Sequence, residues 1–404
     1  MPVVIPKILL PDGIDMSAWA TVACDQFTSE KEYWDKLEKF VGTKPSTLKL
    51  VLPEVYLKEY ESRIDTINSN MYKYLDSGIF KDEIEDFILV ERSTPYQKTR
   101  LGLIVAVDLE EYSYEKGKKP RIRATEGTII ERLPPRMKIR ENAPLEFPHI
   151  MLLIDDKDKT IIEPLFANSQ KLEKLYDFEL NMGGGHIKGY RVNNSKAVKE
   201  KILKLLDKQT LIKKYGRSEE FLFAVGDGNH SLATAKNCWE NLKKTLPKEK
   251  LENHPARFAL VELVNLYDEG LCFEPIHRYI EGIDTEKFVK NLPTSGKDFG
   301  GVMISGQKSP YYVSFDIAVA VKTVDDYITK YISEYGGNVD YVHGENSLKA
   351  LTEKNKNSVG ILLPKMKKET LFLSVMDNGS LPRKTFSMGE AVEKRYYIEG
   401  KKII

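Results

Sequence analysis

The run Val225-Gly226-Asp227-Gly228-Asn229-His230-Ser231 sets an acid, an imidazole, a hydroxyl and two glycines side by side. Gly226 and Gly228 can adopt positive φ, which a tight strand-to-helix turn often requires. Asn229 or Ser231 can cap a helix beginning here, and the free amides of its first turn then face out of the loop. Together with the positive end of the helix dipole, those amides form a seat for phosphate. Asp227 and His230 would add a carboxylate and a titratable ring at the same mouth. Ordinary turn chemistry is the competing reading, because glycine, aspartate and asparagine are common between a strand and a helix.

Such a loop needs a strand before it and a helix after it. Residues 221–225 (FLFAV) are apolar and aromatic-rich, as a buried strand requires. Leu232, Ala235, Trp239, Leu242 and Leu246 then recur at spacings of three and four, one face of a helix. Residues 258–266 (FALVELVNL) read as a second strand that closes a βαβ unit. A second dense stretch holds Arg123, Glu126, Glu131, Arg132, Arg136 and Arg140, with Pro134-Pro135 breaking a helix or starting one. It reads either as part of a site or as an exposed arginine–glutamate network of weak surface pairs.

VGDGNHSLATAK resembles the D-G-H-H-R-x-x-x-A loop of the family called domain of unknown function 1015. That family is itself similar to the ParB/sulfiredoxin superfamily, which includes nucleotide-dependent kinases of free serine. WATVACDQFTSEKEYW, RATEGT, EPIHRYI, YVHGENSLKAL and LPRKTFSMGE also resemble the family, in the expected order through nearly the whole chain. The resemblance implies that Asp25 and Gln26 face a shared site, although Asp25 also reads as a helix cap. Many members carry His-Glu where this chain has Thr125-Glu126, so Glu126 is the implied general base. His277 and Arg278 match an Ile-His-Arg that implies an anion contact. Lys384, in a proline-x-lysine-serine/threonine motif, is expected either to fold back over the phosphate loop or to sit in an exposed basic turn.

Departures from the superfamily narrow the chemistry. Asn229 stands where sulfiredoxins carry a reactive cysteine, so repair of sulfinic acid would lack its thiolate. No recognition-helix signature of a DNA-binding clamp is found. Ser231 stands where the serine kinases place an arginine, so a bidentate phosphate contact is lost. Arg278, Arg132 or Lys384 is expected to supply that charge.

The expected fold is therefore α/β, a ParB/sulfiredoxin-like core over residues 1–282 with an attached C-terminal α+β domain over 283–404. The expected activity is phosphoryl transfer from a nucleoside di- or triphosphate to a small hydroxyl-bearing substrate. Gly226, Gly228, Asn229 and Ser231 would hold phosphates, Asp227 would bind Mg²⁺, and Glu126, Asp227 and His230 would act in catalysis. A non-catalytic nucleotide-binding module and a metal-assisted phosphohydrolase are the alternatives.

Composition agrees. At 404 residues, 30% charged and 41% hydrophobic, the chain can bury a large core in two or three domains. A net charge of +1 gives no global pull toward nucleic acid or membrane. Cys24, Cys238 and Cys272 lack metal-ligand spacing and suggest no disulfide framework. With no secretory signal or membrane-spanning run in the sequence, a cytoplasmic location is expected. Elsewhere the patterning predicts a helix near 168–176, a glycine hairpin at 182–186, one helix over 196–214, a strand over 370–376, and a turn at Pro95.

Overall fold

The computed structural model describes residues 1–94 and 96–404; the turn expected at Pro95 lies outside the described residues. The chain divides into two units, one of residues 1–271 with 390–404 and the other of residues 272–389. The expected boundary at 282 falls eleven residues later in the chain. Residues 273–281 form a strand whose partners all come from the later segment, and that pairing assigns it there.

The first unit is built on a ten-stranded mixed sheet. Its strands in chain order are β1 (Val3–Val4), β2 (Phe87–Ser93), β3 (Arg100–Asp108), β4 (Tyr112–Ser113), β5 (Ile122–Ala124), β6 (Met151–Ile154), β7 (Glu173–Leu180), β8 (Gly185–Val192), β9 (Phe223–Asp227) and β10 (Phe258–Asn265). The order across the sheet is β4-β5-β9-β6-β10-β3-β2-β8-β7, with β1 beside β3. β2, β3, β6 and β10 are almost continuous runs of branched residues, buried throughout most of their length, as strands covered on both faces should be. Helices α1 (Lys31–Val41), α2 (Tyr60–Asp76), α3 (Leu133–Glu141) and α4 (Asn229–Leu242) belong to this unit.

The expected βαβ unit does not form. β6 lies between β9 and β10, antiparallel to the first and parallel to the second. The parallel neighbour of β9 is β5, which comes about a hundred residues earlier, and sequence order therefore misreads spatial order here. Between β7 and β8 the glycines at 183–185 make the expected hairpin turn. The helix expected at 168–176 is instead a short 3-10 turn, Ser169–Lys171, followed by the start of β7, and the one over 196–214 is two helices, Ser195–Lys204 and Lys208–Tyr215.

Residues 390–404 return to the first unit. Tyr396–Tyr397 pairs with Thr21–Val22, and Lys401–Lys402 pairs with Leu145–Glu146. Arg395 is buried and binds Glu262 Oε2 at 2.9 Å as well as Glu399, while the Trp19 indole donates to Ile398 O at 2.9 Å.

The second unit carries an antiparallel sheet of β11 (Phe273–Glu281), β12 (Asp298–Ile304), β13 (Gln307–Val313), β14 (Asn338–His343), β15 (Ser358–Leu362) and β16 (Phe386–Met388). β13-β12-β15-β11-β14 is the order, and β16 pairs with the start of β11. Helices α5 (Ile317–Tyr335) and α6 (Glu345–Lys354) accompany it, and where a strand is expected over 370–376 a helix, Leu371–Asn378, forms instead. Among the described residues no helix is long and apolar enough to cross a membrane.

Candidate functional site

β9, Gly228 and α4 form the strand–turn–helix that the sequence predicts, with a different cap. Against β6, Val225 faces Leu152 and Asp227 faces Met151, which leaves Gly226 as the extra residue of a bulge that re-aims the strand end. Gly228 is the N-cap at φ 80°, ψ 27°, and a Cβ there would stand 2.9 Å from Ile150 Cα. Torsion and space thus both demand glycine. Asn229 and Ser231, expected as caps, lie inside the first turn instead, and no side chain caps the helix. Asn229 Oδ1 is buried without a hydrogen-bond partner among the described residues. Buried Leu232, Ala235 and Trp239 anchor α4, and the Trp239 indole donates to Glu110 Oε1 at 2.6 Å. Each large apolar anchor contributes roughly 1.5–3 kcal/mol.

Two ion pairs sit at this turn. Asp227 Oδ1 accepts from the Gly228 N–H at 2.9 Å, and Oδ2 lies 3.1 Å from the ammonium of Lys394, delivered by the returning C-terminal segment. Beside it, buried His149 places Nε2 3.5 Å from Asp25 Oδ2 and 3.4 Å from Ser231 Oγ, and Nδ1 2.7 Å from the Tyr397 hydroxyl. The Gln26 amide donates to the other Asp25 oxygen at 3.0 Å. Burial disfavours both charges, yet it is outweighed: His149, Gln26 and Lys394 hold the Asp25 carboxyl below its usual range, and Asp25, Asp227 and Glu54 push the His149 imidazole up. Ser231 and Asp25 share one ring nitrogen, so the trio lacks the relay order of a nucleophilic triad. Cys24, next to Asp25, has its thiol pushed up to about 12 by burial and by Asp25, which leaves it inert as a nucleophile.

Glu126 follows β5, the parallel partner of β9, so it leaves the sheet at the same edge as Asp227. Its position is fixed by Thr125, whose hydroxyl donates to Val225 O at 2.6 Å. His230 Nε2 accepts from the Ile129 N–H at 3.4 Å and ties the segment after Glu126 to α4. Arg132 ends a short 3-10 turn and is exposed.

Arg278, Lys384 and His277 all lie in the second unit. Arg278 is fully buried; it binds Asp325 through Nε and Nη2 at 2.8 Å each, and its remaining N–H groups reach carbonyls of Ile276, Arg383 and Lys384. All five donors are consumed, so the expected anion contact is replaced by a structural ion pair. Lys384 is exposed at φ 57° in the turn before β16. His277 is buried, and its Nδ1 accepts from the Leu363 N–H at 3.2 Å.

Asp227 does not fit the expected Mg²⁺. Both its oxygens are taken, one by an amide and one by an ammonium, and no group of three or more His, Cys, Asp or Glu among the described residues could hold a metal. Lys394 occupies the cation's place. Sequence reasoning missed Lys394, Tyr397 and the role of His149. Only His149 gave a local signal, a lone imidazole after Pro148 at the start of a buried strand.

Comparison with solved structures gives likenesses of low identity and low TM-score. A free serine kinase in complex with AMP is 11% identical over 74% of this chain and 92% of that one, with a TM-score of 0.40. A conserved hypothetical protein from Pyrococcus furiosus gives 12%, 71%, 90% and 0.36 in the same terms. SbnI from Staphylococcus aureus, truncated at its C-terminus, gives 10%, 71%, 82% and 0.36. No curated protein matches the sequence. Residues 10–382, most of the chain, match the family described as protein of unknown function (DUF1015), and the chain belongs to that family.

Proposed function

We propose that the protein transfers a phosphoryl group from a nucleoside di- or triphosphate to the hydroxyl of a small metabolite, on a ParB/sulfiredoxin-like core. One observation carries this reading: an uncapped helix N-terminus behind an obligatory glycine, with the Lys394 ammonium held at its mouth by Asp227. The amides and dipole of α4 seat phosphate oxygens. Lys394 supplies the positive charge that Ser231 cannot, and exposed Arg132 is a further candidate for it. Glu126 takes the acceptor's proton as the new O–P bond forms and the bond to the leaving phosphate breaks. Asp227 orients Lys394, while the His149–Asp25 pair fixes Ser231 beneath the phosphates.

Thermal unfolding with a panel of nucleotides, with and without Mg²⁺, tests the binding half. A ligand at 100 times its dissociation constant adds about 2.7 kcal/mol of stability. Absence of any shift across the panel refutes a nucleotide site of either kind. Release of nucleoside diphosphate or monophosphate that depends on an added hydroxyl acceptor then establishes transfer. The full pairing of Asp227 favours one second reading, a module that binds nucleotide without turnover; binding with no acceptor-dependent release would establish it.

A further inference from the structure

The second unit has its own cavity of about 280 Å³, set where the start of β11 faces the N-terminus of α6. It joins two stretches that the phosphate loop leaves unexplained, EPIHRYI and YVHGENSLKAL, which pair directly as β11 and β14. His277 lines it and is only 4% exposed. Because its Nδ1 accepts from the Leu363 N–H, the neutral ring carries its proton on Nε2. That N–H has no protein partner among the described residues and is not among the atoms sealed from solvent, so it is open to a ligand entering the cavity. Burial lowers the His277 pKa to about 4, so the ring stays a neutral donor near pH 7.

The rest of the lining carries both signs. Gly344, at φ 78°, is the N-cap of the ten-residue α6, and no side chain caps its amides. Lys308 Nζ holds both oxygens of Glu345 at 2.9 and 3.0 Å, and Glu274, which also lines the cavity, accepts from Lys365 Nζ at 3.1 Å. Phe299, 54% exposed, and Leu362 make an apolar side. A phosphate dianion would meet Glu345 and Glu274 as like charges. A molecule bearing one carboxylate and one ammonium matches both the N–H donors and the carboxylates of this lining.

We propose that this cavity binds a small zwitterion of the amino-acid type, its carboxylate on the His277 Nε2–H and the first-turn amides of α6, its ammonium on Glu345 and Glu274. Every lining residue belongs to the second unit, and the proposal does not depend on phosphoryl transfer.

Ligand-observed NMR on the full chain tests it with the twenty amino acids, each hit being compared with its analogues lacking the ammonium or the carboxylate. Inorganic phosphate serves as the anion-only probe. At least one amino acid should bind, and either single-charge analogue should bind at least tenfold more weakly. Glu345→Gln should weaken binding by about tenfold, equivalent to about 1.4 kcal/mol. Phe299→Ala, an exposed change that the fold should tolerate, should weaken it as well, and Asp227→Asn in the first unit should leave it unchanged. The proposal is overturned if no amino acid binds, if the plain carboxylate or phosphate binds as tightly, or if Asp227→Asn removes binding that Glu345→Gln and Phe299→Ala both spare.

Discussion

At the scale of single residues the site is a set of paired charges, and the pairing makes it sensitive to pH. The folded state raises the His149 pKa, so its contribution is complete below the ordinary histidine value of about 6.5 and fades as pH climbs through the raised one. Asp25 is depressed, so its contribution is present above about 3.9 and is lost only as pH falls through the lower folded value. The pair therefore supports the fold between those limits. In a proton NMR titration the His149 ring should titrate above 6.5, and Asp25→Asn should move its midpoint down; an unmoved midpoint excludes the pair. Lys394→Met should reduce nucleotide affinity about tenfold or more, the scale of one charge-assisted contact. Calorimetric titration showing equal affinity would remove Lys394 from the phosphate site. Glu126→Gln should bind nucleotide normally and turn over about 10²- to 10⁴-fold more slowly, the range for a lost general base.

At the scale of elements, the bulge at Gly226 and the left-handed Gly228 bend the chain from strand into helix. Gly228→Ala adds a Cβ against Ile150 and a strained torsion, each of order 1–3 kcal/mol. Urea unfolding should show a loss in that range, whereas Gly216→Ala, at a helix end with open space around it, should cost only the torsional part. The turn was legible in the sequence because its signal is local: glycines, then an apolar spacing of three and four. Other elements hid theirs. Leu371, Phe372, Val375 and Met376 lie on one buried helical face, but as part of LFLSVM they read equally well as a strand. In β7 the alternation that buries Tyr176 and Leu180 is masked by charged neighbours that project to solvent.

At the scale of the whole molecule, the candidate site is assembled from residues that lie far apart along the chain. Asp25, Glu126, His149, Asp227 and Lys394 span most of it, and Asp25, Glu126 and Asp227 stood out by residue type and resemblance together. Lys394 could not be foreseen, because nothing near it in sequence announces that the chain returns. That return is held by Arg395, which is buried against Glu262 and Glu399. Arg395→Ala strands buried carboxylates and should lower stability by about 3–5 kcal/mol. A smaller loss in chemical denaturation, under about 1 kcal/mol, would mean that the segment is anchored by its strand pairs alone.

Because the polypeptide leaves the first unit at Leu271 and re-enters it at Glu390, the first unit is not finished when its first 271 residues have been made. A nascent chain paused anywhere within the second unit has the loop, Glu126 and His149, but neither Lys394 to neutralise Asp227 nor Tyr397 to hold the imidazole. The turn at Gly228 is then flanked by carboxylates without their partners. Charge balance arrives in one late step, when the closing segment emerges from the ribosome and pairs with Thr21–Val22 and with Leu145–Glu146.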